Sequence, residues 1–284
     1  MNLVDNKKED VTVVVCTLNN EENIGRMLNS IVHQVSQIIV ADGGSQDKTV
    51  EIAEKYNVDI SITKPGFSIQ LKEAFKLIKH KYLFLCESDH VYPNNFSKDF
   101  IDEFERNDYF VIQATLLCKN KNNFYEKGID LFYQIHQLDK GLRDAVGGPS
   151  IAYAKEYLEN ISIDNINGYS VDTKRSEHWK PKKLKQALGH TIAYHSDVLD
   201  AKTFFKKYFN YGKGDYDFYE SHKAQWTTKR KLKSIFHVFN RYVIDYPIKS
   251  FKVGKPYIAI PYLWLTAIVR YSGWVYSILK NFRT

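Results

Sequence analysis

The feature that most constrains the fold is the alternation of short apolar runs with helical segments over the first ninety residues. The runs, interpreted as strands, cover residues 11–16, 37–41, 58–62 and 82–86. Between them, apolar residues recur every three or four positions, which predicts amphipathic helices after Asn20, over 50–56 and over 68–80. Strands and helices that alternate through short links are typical of a sheet with helices on its faces. We therefore expect an α/β fold with a mostly parallel sheet flanked by helices.

Polar side chains of the types that bind ligands follow three of these strands. They are Thr17-Leu18-Asn19-Asn20-Glu21 after the first strand, Asp42-Gly43-Gly44-Ser45 after the second and Glu87-Ser88-Asp89-His90 after the fourth. Parallel strands bring their carboxyl ends to one edge of the sheet, where open α/β folds bind their ligands. The glycines allow close approach of a nucleotide, and the Asp42 carboxylate can bind a base or a ribose hydroxyl. The three ends are therefore predicted to form one site.

The acid-x-acid sequence of Glu87 and Asp89 has two interpretations. Carboxylates at a strand end suit a hard divalent cation that also binds phosphate oxygens. Alternatively, Ser and Asp are common in any turn after a strand. Neither a G-x-G-x-x-G motif nor a P-loop occurs in the chain, so the dinucleotide fingerprint and the Walker A motif are both missing.

The segments VVVCTLNNEENI, IIVADGGSQDKT and YLFLCESDH together resemble the donor-binding half of family 2 glycosyltransferases, in content, order and spacing. The resemblance implies a GT-A fold with a Rossmann-like nucleotide-binding half, a nucleotide-sugar donor and Mg²⁺ or Mn²⁺ as cofactor. It assigns metal binding to Asp89 and Glu87, although the family usually has Asp where Glu87 stands. The donor-binding residues that it implies are Thr17, Leu18, Asn19, Glu21, Asp42, Gly43, Gly44, Gln70, Lys72 and Ser88. Gln70 and Lys72 stand where the family often has Arg-Asn.

In the second half, we expect a strand over residues 110–118, a helix over 124–143 and a loop of small residues at 146–150. A strand and a helix over 151–160, a strand over 189–195 and a basic, aromatic helix over 202–213 follow. The region around Asp172 resembles the family's acidic motif, with one acid in place of two. The resemblance assigns Asp172 as the catalytic base that takes the proton of the acceptor hydroxyl. Capping of the next helix is the alternative, and the two roles are compatible.

His195 ends one of the predicted strands. The family often has a histidine near the metal or the diphosphate at this position, so His195 is a candidate metal ligand. A purely structural role is the alternative, because single histidines are more often structural.

Charge is uneven along the chain. Residues 179–255 carry 17 Lys and Arg against 6 Asp and Glu, a net charge of +11, whereas the whole chain has a net charge of +7. Such a region can face nucleic acid, anionic lipid or a phosphorylated substrate, or it can be a solvated basic surface.

The C-terminal region contains two uncharged apolar runs, residues 257–269 and 271–279, with Arg270 between them. Each run is shorter than the roughly 20 residues that span a bilayer. We expect one or two interfacial helices instead, with aromatic residues at the lipid headgroups. The aromatic residues are Trp264, Trp274, Tyr246, Tyr257, Tyr262, Tyr271 and Tyr276. The alternative is a helical hairpin packed on the catalytic domain.

Three cysteines, Cys16, Cys86 and Cys118, lie in or beside apolar runs, which favours core thiols and a reducing compartment. The first ten residues are polar and charged, so no signal peptide is expected. These observations predict a cytoplasmic protein at the cytoplasmic face of a membrane.

The predicted organisation is a polar tail (1–10), a GT-A catalytic domain (11–220) and a basic, aromatic helical region (221–284). The catalytic domain would divide into a nucleotide-sugar and metal half (11–118) and an acceptor half (119–220). The predicted activity is metal-dependent, inverting transfer from a nucleotide-sugar, with UDP favoured, to a hydroxyl of a glycan or lipid-linked glycan. The alternatives are a polyprenyl-phosphate sugar synthase, a basic nucleic-acid-binding protein and an inactive scaffold. No nucleic-acid partner is expected, because the acidic strand ends would repel phosphate without a metal.

Overall fold

The computed structural model describes residues 8–160, 171–195 and 199–281, with the side chains of the helix at Val171 described from Arg175 onward. The strands are β1 (Glu9–Thr17), β2 (Val35–Asp42), β3 (Asp59–Ile62), β4 (Tyr82–Glu87), β5 (His90–Val91), β6 (Val111–Cys118), β7 (Gly141–Arg143), β8 (Ser150–Tyr153) and β9 (Gln186–His195). The helices are α1 (Ile24–Ile31), α2 (Thr49–Ala53), α3 (Phe67–Phe75), α4 (Phe96–Glu105), α5 (Phe124–His136), α6 (Ala154–Asn160), α7 (Val171–Trp179), α8 (Ala201–His222), α9 (Thr228–Phe239), α10 (Tyr246–Val253) and α11 (Pro256–Asn281). A short 3₁₀ turn (Lys223–Gln225) precedes α9, and a π-helical segment (Asn240–Asp245) joins α9 to α10.

By contacts, the chain divides into two compact units. The first lies within Met1–Leu117, Lys140–Asn167 and Val171–Asp197, and the second within Cys118–Asp139, Gly168–Ser170 and Val198–Thr284. The sequence-based boundaries at residues 118 and 220 separate regions by function: the donor half, the acceptor half and the C-terminal region. That functional division stays a prediction.

The first unit contains a nine-stranded sheet in the order β3-β2-β1-β4-β8-β6-β9-β5, with β7 paired to β9. The strands β3, β2, β1 and β4 are parallel to one another. Beyond β4 the sheet is antiparallel: β8 pairs with both β4 and β6, and β9 pairs with both β5 and β7. The parallel part therefore coincides with the strands predicted from the first ninety residues.

Strand β1 lies at the centre of the parallel part, with Val13 paired to Ile38 on one side and Phe84 on the other. The strand is buried because helices cover both faces of such a sheet, which explains its unbroken β-branched sequence. Helix α1 buries all four residues of the predicted apolar face, Ile24, Met27, Leu28 and Ile31. The periodicity was therefore a correct guide to its packing.

Several predicted boundaries are wrong. Helix α1 begins at Ile24 with Asn23 as its N-cap, whereas Asn20 accepts backbone hydrogen bonds in the turn before it. The helix predicted over 124–143 ends at His136, and β7 follows. Gly141, at the start of β7, adopts a φ of +90°, a left-handed conformation that favours glycine and does not continue a helix.

The second unit is helical. Helices α8 and α11 cross closely at two glycines, because a Cβ on Gly212 would lie 1.8 Å from the Arg270 carbonyl oxygen. A Cβ on Gly273 would likewise lie 2.0 Å from the Phe209 carbonyl oxygen. Inside the unit, the hydroxyl groups of Tyr208 and Tyr262 are 2.8 Å apart.

The two C-terminal apolar runs form one continuous helix, α11, and Arg270 lies within it rather than between two helices. Arg270 donates from Nε and Nη2 to both carboxylate oxygens of Asp215, at 2.6 and 2.8 Å, and from Nη1 to the Tyr242 hydroxyl. Among the helices that the structure describes, none combines the length and apolar character needed to cross a bilayer.

Candidate active site

The sheet register brings the predicted strand ends together. Thr17 at the end of β1 pairs with Asp42 at the end of β2, and Cys16 pairs with Glu87 at the end of β4. All three ends therefore lie at the same edge of the first unit, as the parallel pattern predicts.

Two histidines reach this edge through a strand pair that the sequence did not reveal. Strand β5 is only two residues long, and its His90 pairs with His195 at the end of β9. The two imidazole rings lie edge to face, with centroids 5.3 Å apart. The antiparallel part of the sheet therefore adds imidazoles to the acidic end of β4.

Asp89 lies between the two histidines. His90 Nδ1 is 2.9 Å from Asp89 Oδ1, and His195 Nε2 is 3.3 Å from Asp89 Oδ2. Glu87 Oε2 is 3.8 Å from His90 Nδ1, and the Glu87 side chain is half exposed whereas both histidines are buried. Burial would raise the pKa of Asp89, but the charges and hydrogen bonds of His90 and His195 outweigh it and hold the pKa well below its usual range.

Glu87, Asp89 and His90 each offer one ligand atom, and these atoms lie within 4.8 Å of one another. Two carboxylates and one imidazole form a donor set that Mn²⁺ accepts readily, whereas Mg²⁺ prefers oxygen ligands alone. The residues present therefore fit a divalent cation. Sequence reasoning did not assign His90 as a ligand, although its position directly after Asp89 was the available signal.

A pocket of about 260 Å³ opens beside this acidic cluster. It is lined by Cys16, Asn20, Asn23, Phe67, Cys86, Glu87, Ser88 and Asp89. Only the last three were predicted as site residues. Burial raises the pKa of the Cys16 and Cys86 thiols to about 12, so both remain neutral and form part of an apolar wall.

A chain of side-chain hydrogen bonds connects helix α1 to the acidic loop. Arg26 donates to Asn23, Asn23 Nδ2 donates to Asn20 Oδ1 at 2.8 Å, and Asn20 Nδ2 donates to Ser88 Oγ at 2.5 Å. These hydrogen bonds hold the Ser88 hydroxyl in place through the amide of Asn20. Asn20, which belongs to the predicted strand-end segment but is not among the individually predicted site residues, is thus a member of the site.

Several predicted donor-binding residues hydrogen-bond the adjacent loops. The fully buried Asp42 accepts from the backbone of Gly44 and Ser45 through Oδ1, at 2.8 and 2.7 Å, and from the Ser45 hydroxyl through Oδ2 at 2.6 Å. Gly44 adopts a φ of +84°, which suits glycine. The Asp42 carboxylate thus shapes the turn after β2.

Asn19 and Glu21 connect the loop after β1 to the loop after β2. Asn19 Oδ1 accepts from the Gln46 backbone at 2.8 Å, and Glu21 Oε2 accepts from the Lys48 backbone at 2.9 Å. Leu18 is exposed beside them, and Asn19 adopts a φ of +49°. These hydrogen bonds therefore hold the loop after β1 against the loop after β2.

Helix α3 contributes hydrogen bonds that connect the ends of two strands. Gln70 Nε2 donates to the backbone carbonyls of Thr17 and Ala41, at 2.8 and 2.7 Å, so it links the ends of β1 and β2. Gly43 lies beside it, because a Cβ there would be 3.4 Å from the Gln70 amide. Lys72 is exposed on the same helix. The Gln70 amide nitrogen thus contacts backbone, while Lys72 faces solvent.

Asp172 lies in the first turn of α7, and its side chain falls outside the described residues. Three residues later, Arg175 donates to the Tyr157 hydroxyl at 3.0 Å. The Arg175 charge partly opposes the rise in the pKa of Cys16 that burial causes. Trp179 anchors the other end of the helix against Phe110, with ring centroids 5.3 Å apart.

Comparison with known proteins identifies the family of the chain. The family model described as Glycosyl transferase family 2 matches residues 12–203. An uncharacterized glycosyltransferase of Rickettsia felis is 29% identical over 124 residues, which are 40% of this chain and 42% of the relative. One of Rickettsia conorii is 28% identical over 124 residues, with the same coverage. The matched region thus spans less than half the length of these curated relatives.

Solved structures show the same fold. The crystal structure of residues 1–349 of S. aureus TarS, in complex with UDP-GlcNAc, has a TM-score of 0.53 at 14% identity and covers 94% of this chain and 89% of that one. A mycobacterial protein has a TM-score of 0.52 at 16% identity, over 71% of this chain and 72% of that one. The expected GT-A-type fold is confirmed. With the family model matching about two thirds of its length, the chain belongs to glycosyl transferase family 2.

Proposed function

We propose that the protein transfers a sugar from a nucleotide-diphosphate sugar, with a UDP-sugar as the favoured donor, to a hydroxyl of a glycan or lipid-linked glycan, with inversion at the anomeric carbon. The observation that carries the proposal is the position of Glu87, Asp89 and His90 beside the 260 Å³ pocket, at the carboxyl edge of the parallel strands. Family membership supports the transfer of a glycosyl group. The likeness to a TarS fragment that binds UDP-GlcNAc supports a uridine donor.

The donor would lie along the loops after β1 and β2. The exposed residues Leu18 and Asn19 border this surface, and Gly43 and Gly44 add no side chains to it. The Ser88 hydroxyl accepts from Asn20, so its own proton can be donated to a diphosphate oxygen. Asp42 would act by holding the loop and would reach a base only if its turn opened.

Glu87, Asp89 and His90 would hold the divalent cation, with Mn²⁺ favoured over Mg²⁺ because one donor is an imidazole. When bound, the cation would stabilise the negative charge of the departing diphosphate. His195 lies 3.3 Å from Asp89 and can orient that carboxylate, so its proposed role is support of the ligand.

Asp172 is the proposed base. A carboxylate must take the acceptor proton as the hydroxyl oxygen attacks the anomeric carbon, and Asp172 lies in the first turn of α7, three residues before the buried Arg175. The loop before β8 would border the acceptor. There, Gly148 adopts a φ of +62°, and a Cβ on it would lie 3.9 Å from Glu87 Oε1, so the absence of a side chain leaves room beside the acids.

A thermal-shift panel tests the donor site. Wild type is heated with UDP, GDP or dTDP, or the corresponding sugars, with and without Mn²⁺. We expect one nucleotide, UDP, to raise the melting temperature by several degrees only with Mn²⁺, since ligands that bind the folded state stabilise it. Asp89→Asn should lose this shift, while Asp108→Asn, at a highly exposed carboxylate, should keep it. Equal shifts in both variants, or no shift with any nucleotide, would contradict the proposal.

A further inference from the structure

Helices α9, α10 and α11 of the second unit each turn large apolar side chains toward solvent. On α9 these are Leu232, Phe236 and Phe239, which are spaced by four and three residues and therefore lie on one face. On α10, Ile248 and Phe251 are exposed in the same way. Soluble proteins normally expose such residues singly, so three successive helices that each expose large apolar side chains require an explanation.

Helix α11 is amphipathic along its whole length. Its buried face packs within the unit through residues such as Tyr262, Leu263 and Trp274. The opposite face exposes Tyr257, Trp264, Ile268, Val275 and Leu279, which recur at intervals of seven or four residues. The predicted interfacial aromatic residues therefore differ in exposure. Tyr246, Tyr262 and Trp274 are core residues, and Tyr257, Trp264 and Tyr276 are exposed. Tyr271 is half-buried, and its hydroxyl donates to the Ile235 carbonyl.

The exposed faces of α9 and α11 are continuous. An open apolar pocket of about 480 Å³ lies between them, lined by Phe239, Val243, Trp264, Ala267, Ile268 and Tyr271. Phe239 is the last exposed apolar residue of α9, and Ile268 belongs to the exposed apolar face of α11. The exposed stripes of α9 and α11 therefore belong to one apolar surface.

The helices that carry this apolar surface also carry many basic side chains. Residues 228–255 contain eight Lys and Arg and a single Asp, a net charge of +7, which equals the net charge of the whole chain. Lys229, Lys233, Arg241, Lys252 and Lys255 are exposed. A large apolar face next to Lys and Arg is typical of helices that lie in the interface of an anionic membrane.

We propose that α9, α10 and α11 form a docking surface for an anionic lipid bilayer, with the exposed apolar stripes inserted among the headgroups and acyl chains. The exposed Trp264 suits the headgroup region because its ring is apolar and its N–H can remain hydrated. A second copy of the chain is a poorer occupant, since a symmetric contact would bring two strongly basic surfaces together. Nucleic acid would not require the aliphatic residues Ile248, Ile268 and Leu279.

Vesicle flotation tests the proposal, with full-length protein and no donor, so that the result is independent of sugar transfer. The probes are vesicles of pure phosphatidylcholine and vesicles containing 30% phosphatidylglycerol as a trial composition. We expect binding to the anionic vesicles, weakened by 0.5 M salt because the basic contribution is screened. No binding to anionic vesicles, or equal binding to both kinds, would overturn the proposal.

Matched variants separate the two contributions. Phe251→Ser combined with Ile268→Ser, at side chains 69% and 66% exposed, should weaken anionic-vesicle binding at least about tenfold. The control is Ile62→Ser combined with Leu142→Ser, at first-unit residues 64% and 65% exposed, which should bind as wild type does. Lys229→Glu combined with Lys233→Glu should also lose at least about tenfold, against the control Lys155→Glu on α6. Circular dichroism and melting temperature check that each variant folds.

Two further results would overturn the proposal. One is a stable dimer in sedimentation that the Phe251→Ser, Ile268→Ser variant dissociates, because the surface would then belong to a second copy. The other is tight, salt-dependent binding to single-stranded RNA that the Lys229→Glu, Lys233→Glu variant loses, while wild type ignores vesicles.

Discussion

At the residue scale, His90 distinguishes this site from a purely carboxylate one. It is buried, it lies 2.9 Å from Asp89, and it completes the set of three candidate ligands. We expect His90→Gln to weaken Mn²⁺ binding at least about tenfold, because one of the three candidate protein ligands is lost. Isothermal titration with Mn²⁺ and UDP measures this. His80→Gln, at a partly exposed histidine paired with Asp10, is the control and should bind normally. Unchanged affinity in His90→Gln would remove it from the ligand set.

A variant of the proposed base, Asp172, distinguishes an effect on donor binding from an effect on the chemical step. Asp172→Asn should lower kcat by about 10²–10⁴-fold while donor binding is retained, because general-base catalysis contributes about this much. Single-turnover transfer to a hydroxyl acceptor, together with UDP-sugar titration, gives both numbers. Loss of donor binding in parallel would indicate a structural role for Asp172. Retained transfer to a lipid phosphate would favour a polyprenyl-phosphate sugar synthase, since that acceptor needs no strong base.

Glu105 offers a pH test of a surface cluster in the first unit. Hydrogen bonds from Tyr82, Lys81 and Tyr153 lower the pKa of its carboxyl from the ordinary 4.5 to about 2. A lowered pKa stabilises the folded state above the ordinary pKa, and this contribution is lost as the pH falls from about 4.5 through about 2. Because the group is largely solvent-exposed, the contribution should stay below about 1 kcal/mol. Urea unfolding should show Glu105→Gln less stable than wild type at pH 7, with the difference shrinking by pH 3. A constant difference would contradict this account.

At the scale of elements, the close crossing of α8 and α11 gives the clearest stability prediction. A methyl group at Gly212 would meet the Arg270 carbonyl oxygen at 1.8 Å, and backbone cannot rotate away as a side chain can. We expect Gly212→Ala to lower the free energy of unfolding by at least about 2 kcal/mol. Ser221→Ala, at an exposed site of the same helix, should change it little. Chemical denaturation measures both, and equal stabilities would contradict the crossing.

The elements that could be predicted from sequence are those with a strong local signal. Strands β1, β2 and β4 are buried apolar runs with abrupt polar ends, and the apolar face of α1 follows the helical period, so all four were found. The acids Glu87 and Asp89 were found with them. Strands β5 and β7 have two and three residues, too few to show alternation, and their pairing with β9 is non-local. His90 and the break after α5 were missed for that reason.

The loop residues show a second limit. Asp42, Asn19 and Glu21 at the strand ends, and Gln70 on α3, are assigned to donor binding by resemblance, and this assignment stays a prediction. What the sequence did not reveal is that their side chains hydrogen-bond backbone groups of the neighbouring loops. Polar side chains near a turn can bind a ligand or the turn itself, and only the tertiary structure shows which backbone groups lie within reach.

At the scale of the whole molecule, the two units carry different features. The first unit holds the strand-end acids and the pocket, and the second holds a surface that is both basic and apolar. The charge asymmetry was visible in the sequence, but the division of the C-terminal aromatic residues into core and surface was not. It depends on how α11 packs against α8 and α5, which its apolar sequence alone does not determine.

The central claim is that the acids at the end of β4 form a nucleotide-dependent metal site. Electron paramagnetic resonance of Mn²⁺ tests it most directly, because bound and free ions differ in signal. Wild type should bind one Mn²⁺ per chain with affinity that rises when UDP is added, and Asp89→Asn should lose this ion. Absence of binding with UDP present, or equal binding by Asp89→Asn, would contradict the account.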